Sequence, residues 1–399
     1  MSLLSIQEPE DFNPRPWRAE HPLWRLGFRP FYLMAAIFAV ISVPLWVASY
    51  LGWMGAWPRV GLGWHMHEMV YGMAVAVVVG FLFTAARAWT GLPTPSKGHL
   101  AALAGLWLAG RVAMLAAPAG LAAIVDLLFL PLAAWPLYRV LAQSGNKRNL
   151  FLVALLALLT VANGIFHAAA LGLIAVNMTA PIQAAILLIV VIESVIGARV
   201  IPMFTRNGAP GTQPIVKPMR DRYALGLTLA AALAWICGLP APVCAPLAIA
   251  ASLVSMWRLA GWQPRRTLRV PLLWILHVSY GWIPVGFFLL GLAALHLVTP
   301  SAAFHALTVG SMAGLIIGMM ARTTLGHTGR PLKAGRADVA MFWLIQLGAV
   351  ARLAVGLGPF GLREPGLIVA ALCWSLAFGL YVIAYGPRLM RPRVDGRDG

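Results

Sequence analysis

Charged side chains are scarce in this sequence. They make up 11% of its 399 residues, against the roughly 25% that is usual in soluble domains. Hydrophobic residues account for 60%, and the mean hydropathy is +0.81. A chain of this composition cannot cover a folded surface with polar groups. A soluble globular protein is therefore excluded, and lipid is indicated as the main solvent.

Cysteines and acidic residues are also few. The three cysteines lie in apolar surroundings, their spacing is not that of a metal site, and no disulfide framework is indicated. With 12 acidic and 30 basic residues, the formal net charge is +18. The basic residues fall in short gaps between apolar segments and never form one extended face. We interpret them as topology signals and predict no binding to nucleic acid.

Long apolar segments are abundant. A helix needs about 20 apolar residues to cross the hydrocarbon of a bilayer, and about twelve segments of this kind can be counted. They run near 28–50, 64–86, 98–117, 119–141, 149–172, 178–200, 222–240, 242–260, 270–297, 301–321, 337–358 and 364–386. The sequence predicts an all-α integral membrane protein with one polytopic domain over 28–386. A cytoplasmic segment at 1–27 and a basic cytoplasmic tail at 387–399 flank it.

The basic residues are distributed unevenly between the two sides of such a bundle. The N-terminal segment, the even-numbered gaps and the tail hold 26 of the 30 lysines and arginines, and the other four are Arg59, Arg111, Arg352 and Arg363. Loops rich in lysine and arginine stay on the cytoplasmic side. Both termini are therefore predicted to be cytoplasmic.

Two of the predicted helices resemble each other. The stretch "HEMVYGMAVAVVVGFLFTAARAWTGLP" from His67 and the stretch "HALTVGSMAGLIIGMMARTTLGHTGRP" from His305 align at a shift of 238 residues. The sixth helix contains a fainter third copy. Since the second, sixth and tenth helices are four apart, internal four-helix repeats are possible. The alternative is that glycine-rich membrane helices resemble each other by composition.

Polar groups from distant parts of the sequence fall near the outer ends of the predicted helices. They are His65, His67, Glu68, Arg111, Asp126, His167, His305 and Arg352. An intramembrane charge costs about 2.5–3.5 kcal/mol on insertion scales, so it persists only with a partner or a use. A haem site explains this layer jointly, with imidazoles on the iron and the two arginines on the propionates. A copper ion held by imidazoles is equally compatible.

The spacing of these residues suggests roles. His65 and His67 are about 200° apart around a regular helix, so both cannot face one cavity. We expect His67 to face inward toward His305, with His65 on another face, and Glu68 to orient an imidazole. Taken alone, His167 is more often an interfacial residue. His277 is either a packed polar residue or a deeper ligand, and His327 is expected to support a glycine-rich turn more than to bind metal.

Four motifs carry a resemblance to a known family. The stretches "WHMHEMVYG" (64–72), "HALTVGSMAGLIIGMMARTTLGHTGRPL" (305–332), "RLGFRPFYL" (25–33) and "MFTRNG" (203–208) together resemble the NnrS family. The resemblance implies a bacterial inner-membrane protein that contains haem and copper and is associated with denitrification and nitric oxide resistance. It implies metal ligation by histidines of the two long motifs, here His65, His67, His305 and also His327. Nitric oxide and an electron donor would then be partners beside the lipid bilayer.

Two other functions are compatible with the sequence. Twelve helices with both termini inside is a common layout of secondary transporters, although the repeat relates helices eight apart and not two halves of six. A structural or assembly partner of a respiratory complex is the third possibility. The catalytic subunit of haem-copper oxidases is an analogy of architecture only, because the adjacent histidine pair that holds copper there is absent here.

The orientation can be tested with reporter fusions in a bacterial host. Alkaline phosphatase fused after residue 397 is expected to be inactive, because the tail is cytoplasmic, whereas a fusion at Gly55 in the first gap is expected to be active. The reverse pattern of activities would contradict the predicted orientation.

Overall fold

The computed structural model describes residues 15–55, 57, 59–358 and 362–397. Twelve long helices account for most of this part of the chain, and no strand occurs in it. They are α1 (Phe28–Tyr50), α2 (Leu62–Thr90), α3 (Lys97–Ala116), α4 (Ala119–Gln143), α5 (Leu150–Ala170), α6 (Thr179–Gly208), α7 (Pro218–Ile236), α8 (Ala241–Gly261), α9 (Pro271–Ala294), α10 (Pro300–His327), α11 (Arg336–Leu357) and α12 (Arg363–Met390). The predicted all-α membrane fold is confirmed.

Eleven of the twelve helices in the described residues are long and apolar enough to cross a membrane. The helix outside this set is α7, which has 19 residues and carries Arg220, Asp221 and Arg222 among its first five. The predicted segment began only at residue 222, so it omitted two of these charges. The remainder of α7 is apolar, and it packs against α6 and α8.

The helices differ in how much protein surrounds them. About three quarters of the most apolar stretch is buried in α2 (78%) and α10 (72%), but only a third in α3, α11 and α12. The first and last helices pack against each other, and α9 contacts α6, α8, α10 and α11. The two helices with the long histidine motifs are therefore enclosed by protein, while α3, α11 and α12 present most of their surface outward.

Both enclosed helices contain a π-helical segment. It spans Glu68–Ala74 in α2 and Ala306–Ala313 in α10, directly after His67 and His305 respectively. Such wide turns are rare, and they occur frequently at functional sites. The two segments begin 238 residues apart, the same shift that aligns the two sequence motifs. The internal four-helix repeat itself stays a prediction.

Candidate metal centre and a second histidine group

Six buried polar side chains meet at one end of the bundle formed by α2–α5. We call them the His67 group: His67 and Glu68 of α2, Arg111 of α3, Asp126 of α4, and Asn163 and His167 of α5. Since α2 and α4 begin at this end of the bundle and α3 and α5 finish there, residues far apart in sequence share one depth. Each of the six is at most 5% exposed to solvent.

The local sequence allows these side chains to approach closely. Only a short connection at Ala117 and Pro118 separates α3 from α4, which brings Arg111 and Asp126 to the same level. A Cβ at Gly72 would lie 3.0 Å from both the Arg111 guanidinium and the Glu68 carboxylate, so a larger residue there would disturb their contact.

His67 has an oxygen acceptor at each ring nitrogen. Its Nδ1 lies 2.9 Å from Oε1 of Glu68. Its Nε2 lies 3.1 Å from Oδ2 of Asp126 and 2.9 Å from Oδ1 of Asn163. Neither nitrogen faces apolar surroundings. A proton or a cation must therefore lie between each ring nitrogen and its oxygen partner.

Asp126 is the centre of the group. Its Oδ2 accepts hydrogen bonds from His167 Nε2 at 3.0 Å and from Asn163 Nδ2 at 2.7 Å, in addition to its contact with His67. Its Oδ1 pairs with Arg111, whose other terminal nitrogen lies 2.9 Å from both carboxylate oxygens of Glu68. One guanidinium therefore bridges two carboxylates, and the remaining negative charge faces the two imidazoles.

The donor atoms of His67, Asp126 and His167 fit a metal ion. One ligand atom from each lies within 4.8 Å of the other two, and both imidazole nitrogens are about 3 Å from the same carboxylate oxygen. Ligands at about 2.1 Å from a metal are about 3.0 Å apart at right angles and about 3.4 Å apart in a tetrahedron. Small shifts would therefore complete a two-histidine, one-carboxylate site, with Glu68 holding the second nitrogen of one ligand.

The same group does not fit a haem. The rings of His67 and His167 have centroids 5.1 Å apart, and they share one carboxylate oxygen. Axial ligands of one haem iron stand on opposite faces of the porphyrin, with the iron between them. Arg111 is also occupied by Glu68 and Asp126, and so it is not available to a propionate.

A second group gathers at His305, and we call His65, His305 and Arg352 the His305 group. The His65 ring stacks on Trp46 with a centroid distance of 3.9 Å, and its buried Nδ1 has no hydrogen-bond partner in the described residues. His305 Nδ1 donates to the carbonyl oxygen of Ser301 at 2.7 Å, which leaves Nε2 with its lone pair. The Arg352 guanidinium donates a hydrogen bond to the hydroxyl oxygen of Ser301. The positive charge of Arg352 also acts on the imidazoles of His65 and His305.

The structure thus divides the predicted layer into two groups. His67 lies with Glu68, Arg111, Asp126 and His167, and its described contacts include none with His305. His65 and Arg352 lie with His305. No contact that would join these groups into one site is present in the described part of the chain.

Two histidines from the sequence analysis lie outside both groups. Both ring nitrogens of His277 are bonded, Nδ1 to the Leu273 carbonyl at 3.0 Å and Nε2 to the Thr205 hydroxyl at 3.2 Å. This is the pattern of a packed polar residue. The His327 ring packs against Phe28, and its backbone carbonyl accepts a hydrogen bond from Arg393.

Asn163 is a member of the His67 group that the sequence analysis missed. It lies four residues before His167, so both side chains share one face of α5. The spacing of four residues could have indicated that Asn163 belongs to the same site as His167. An amide inside an apolar helix needs a polar partner, just as an imidazole does.

The comparisons with known proteins agree with the resemblance in the sequence. The family model described as NnrS protein matches residues 22–393, nearly the whole chain. No curated protein matches the sequence of this chain. The family predicted from the four motifs is confirmed.

Because Arg111 bridges two buried carboxylates, we expect its removal to lower the stability of the protein. Replacing Arg111 with Met leaves Glu68 and Asp126 buried without their cation, and we expect a loss of about 3–5 kcal/mol in the free energy of unfolding. Thermal and denaturant unfolding of the purified protein in detergent would measure it. The matched control is Arg206→Met, at an exposed position near the end of α6.

A double variant separates charge from packing. Adding Glu68→Gln to Arg111→Met is expected to restore part of the lost stability, because one uncompensated carboxylate is removed. Equal stability of Arg111→Met, the control and the unmodified protein would contradict the bridge.

Proposed function

Because this chain belongs to the NnrS family, we propose that it is a haem- and copper-binding protein of the bacterial inner membrane that acts in the response to nitric oxide. The observation that carries the proposal is the buried set of His67, Asp126 and His167, whose donor atoms lie at metal-ligand spacing. We assign the copper ion to this set. The predicted orientation would place it near the periplasmic side.

Copper suits this donor set for two reasons. Imidazole and carboxylate ligands of a given site bind Cu²⁺ more tightly than the other divalent ions of the first transition row. A protein-metal bond at Nε2 of His67 would replace the proton that this nitrogen now shares with Asp126 and Asn163. Glu68 would keep the proton on Nδ1 and fix the ring orientation.

Haem is assigned to the His305 group. His305 offers Nε2, and His65 offers a buried nitrogen without a hydrogen-bond partner in the described residues. Arg352 is a cation of the kind that pairs with propionates. An open pocket of about 260 Å³ is lined by Trp46, the residue on which His65 stacks, and by Tyr50 and Trp57. When bound, ferrous haem would supply a site for nitric oxide. Keeping the haem iron reduced would require an electron donor.

The protein's own side chains contribute charge balance and access. Arg111 neutralises the two carboxylates, so the His67 group can exist in an apolar bundle. Nitric oxide is a small uncharged gas that dissolves in lipid, and it can therefore reach a centre enclosed by membrane helices without an aqueous channel. An enclosed centre of this kind favours a protein that acts on nitric oxide over a transporter of polar solutes.

The copper assignment predicts which variants lose metal. His67→Ala and Asp126→Asn are expected to lose the copper of the purified protein, as measured by elemental analysis, while Glu68→Gln is expected to weaken binding by about 10–100-fold. His277→Ala removes a buried histidine whose nitrogens are already bonded, and it should keep full copper content. Because protons compete with metal for imidazole, copper affinity should fall as the pH is lowered.

Full copper in the two ligand variants would contradict this assignment. So would an equal loss of copper in His277→Ala, because that result would indicate general unfolding.

The haem assignment predicts an optical result. The purified protein should show a Soret band that shifts on addition of nitric oxide, and the double substitution His65→Ala, His305→Ala should remove the band. His327→Ala is the matched control and should retain it. A Soret band that persists in the double variant, or is absent from the unmodified protein, would refute haem at the His305 group.

A further inference from the structure

Arg322 is a buried cation without a hydrogen-bond partner in the described residues. It lies on α10, five residues before the end of this helix, and it is 7% exposed. Its guanidinium carbon lies 3.9 Å from the ring centroid of Phe204 on α6, and it forms no ion pair with a described residue. The other four buried arginines of the described chain all donate hydrogen bonds to protein oxygens; they are Arg29, Arg111, Arg220 and Arg258.

The surroundings of Arg322 lack an anion. Glu193 is the only acidic residue of α6, and it lies eleven residues before Phe204, about 16 Å along a helix. Helix α10 contains no acidic residue, and α2 contains only Glu68, near its opposite end. A charge inside the membrane persists only with a partner or a use. An arginine that served as a topology signal alone would extend into water, as the exposed Arg206 does.

An apolar crevice between α2, α6 and α10 leads to Arg322. Its lining includes Val78, Ile196, Ile201 and Met319. Met319 precedes Arg322 by three residues on α10, so the two share one side of that helix. Ile201 precedes Phe204 by the same spacing on α6.

A further lining residue marks the level at which the crevice ends. Tyr32 of α1 belongs to the lining, and its hydroxyl lies near Thr323, the residue that follows Arg322. The stacked pair of Arg322 and Phe204 therefore lies at this end of the crevice. The only carboxyl group of the lining, that of Glu193, lies toward the other end and accepts a hydrogen bond from Ser311.

The crevice is open to the outside of the bundle. Helix α6 packs against the π-helical segments of α2 and α10, whereas the second halves of these two helices have their main contacts with other helices. The lining residues Val78, Ile196 and Met319 are accordingly only half-buried. Both histidine groups lie at the first halves of α2 and α10, so the Arg322 end of the crevice is on the predicted cytoplasmic side. It is within about 8 Å of the end of α10, near the depth of lipid head groups.

We propose that this crevice binds an anionic phospholipid of the cytoplasmic leaflet, with one acyl chain along α6 and the phosphate group on Arg322. A guanidinium stacked on a ring keeps its N–H donors at its edges, where they match phosphate oxygens. The lining from Glu193 to Ile201 spans eight residues, about 12 Å, most of the roughly 15 Å of hydrocarbon in one leaflet. Basic pockets between membrane helices on the cytoplasmic side bind anionic head groups elsewhere.

Native mass spectrometry of the full chain in a neutral detergent measures this binding. Dioleoyl phosphatidylglycerol is expected to bind the unmodified protein more tightly than the zwitterionic dioleoyl phosphatidylcholine. Arg322→Met should weaken the binding of the anionic lipid about 10-fold and remove the preference, because hydrogen bonds to a charged phosphate are lost. The matched control, Arg206→Met, removes a charge at an exposed position two residues after Phe204 and should keep the preference.

A second pair of variants tests the position of the acyl chain. Val78→Phe places a ring in the crevice and should weaken the binding of dioleoyl phosphatidylglycerol. Leu233→Phe adds the same ring at a 58% exposed position on α7 and should not. Equal affinities within either pair of variants, or no preference for the anionic lipid in the unmodified protein, would overturn the proposal.

Thermal unfolding separates the lipid from free phosphate. Dioleoyl phosphatidylglycerol should raise the Tm of the unmodified protein and of Arg206→Met but not that of Arg322→Met, and inorganic phosphate should raise none of them. In detergent alone, Arg322→Met should be at least as stable as the unmodified protein, because it removes an uncompensated charge. Stabilisation by inorganic phosphate, or a lower Tm of Arg322→Met in detergent alone, would overturn the proposal. The test uses neither copper nor haem, so its failure would leave the proposed function standing.

Discussion

The bridge that Arg111 forms between Glu68 and Asp126 is the interaction on which the rest of the structure depends. Lipid-embedded helices offer no water to solvate a charge, so two carboxylates on different helices need a cation between them. Arg111 supplies it from a third helix and leaves Asp126 facing two imidazoles. The ends of α2–α5 are held together by this charge balance, and the metal-ligand spacing of the group is its consequence.

The two histidine groups differ in the sign of the charge that accompanies them. Carboxylates lie against His67 and His167, which favours a bound cation, and a guanidinium lies near His65 and His305, which favours an anionic ligand such as a haem with its propionates. This contrast follows from two neighbouring positions on one helix. His65 and His67 project in different directions from α2, so each joins side chains from a different set of helices.

The sequence predicted the features that depend on composition and depth. Apolar length identified the helices, and the alternation of basic gaps placed His67, Arg111, Asp126 and His167 near one level. It did not predict which of them meet, because helix rotation and neighbour order are set by packing between distant segments. His67 was expected to face His305, yet its described partners are Asp126, Asn163 and Glu68. The π-helical segments were also not predictable, since no residue type marks them. The predicted segment for α7 began at residue 222, and it therefore omitted two charged residues at the start of this helix.

Glu193 of α6 has surroundings unlike those of Glu68 on α2 and Asp126 on α4. Glu68 and Asp126 are compensated by charge, whereas Glu193 has only a hydroxyl partner among the described residues and belongs to an apolar crevice.

The central claim is that His67, Asp126 and His167 hold a copper ion. X-ray absorption at the copper edge of the purified protein tests it most directly. The account predicts scattering from two imidazole rings and an oxygen ligand, with metal-ligand distances of about 2.0–2.1 Å. A copper environment with sulfur ligands or without imidazole scattering, or a protein that holds no copper, would contradict it.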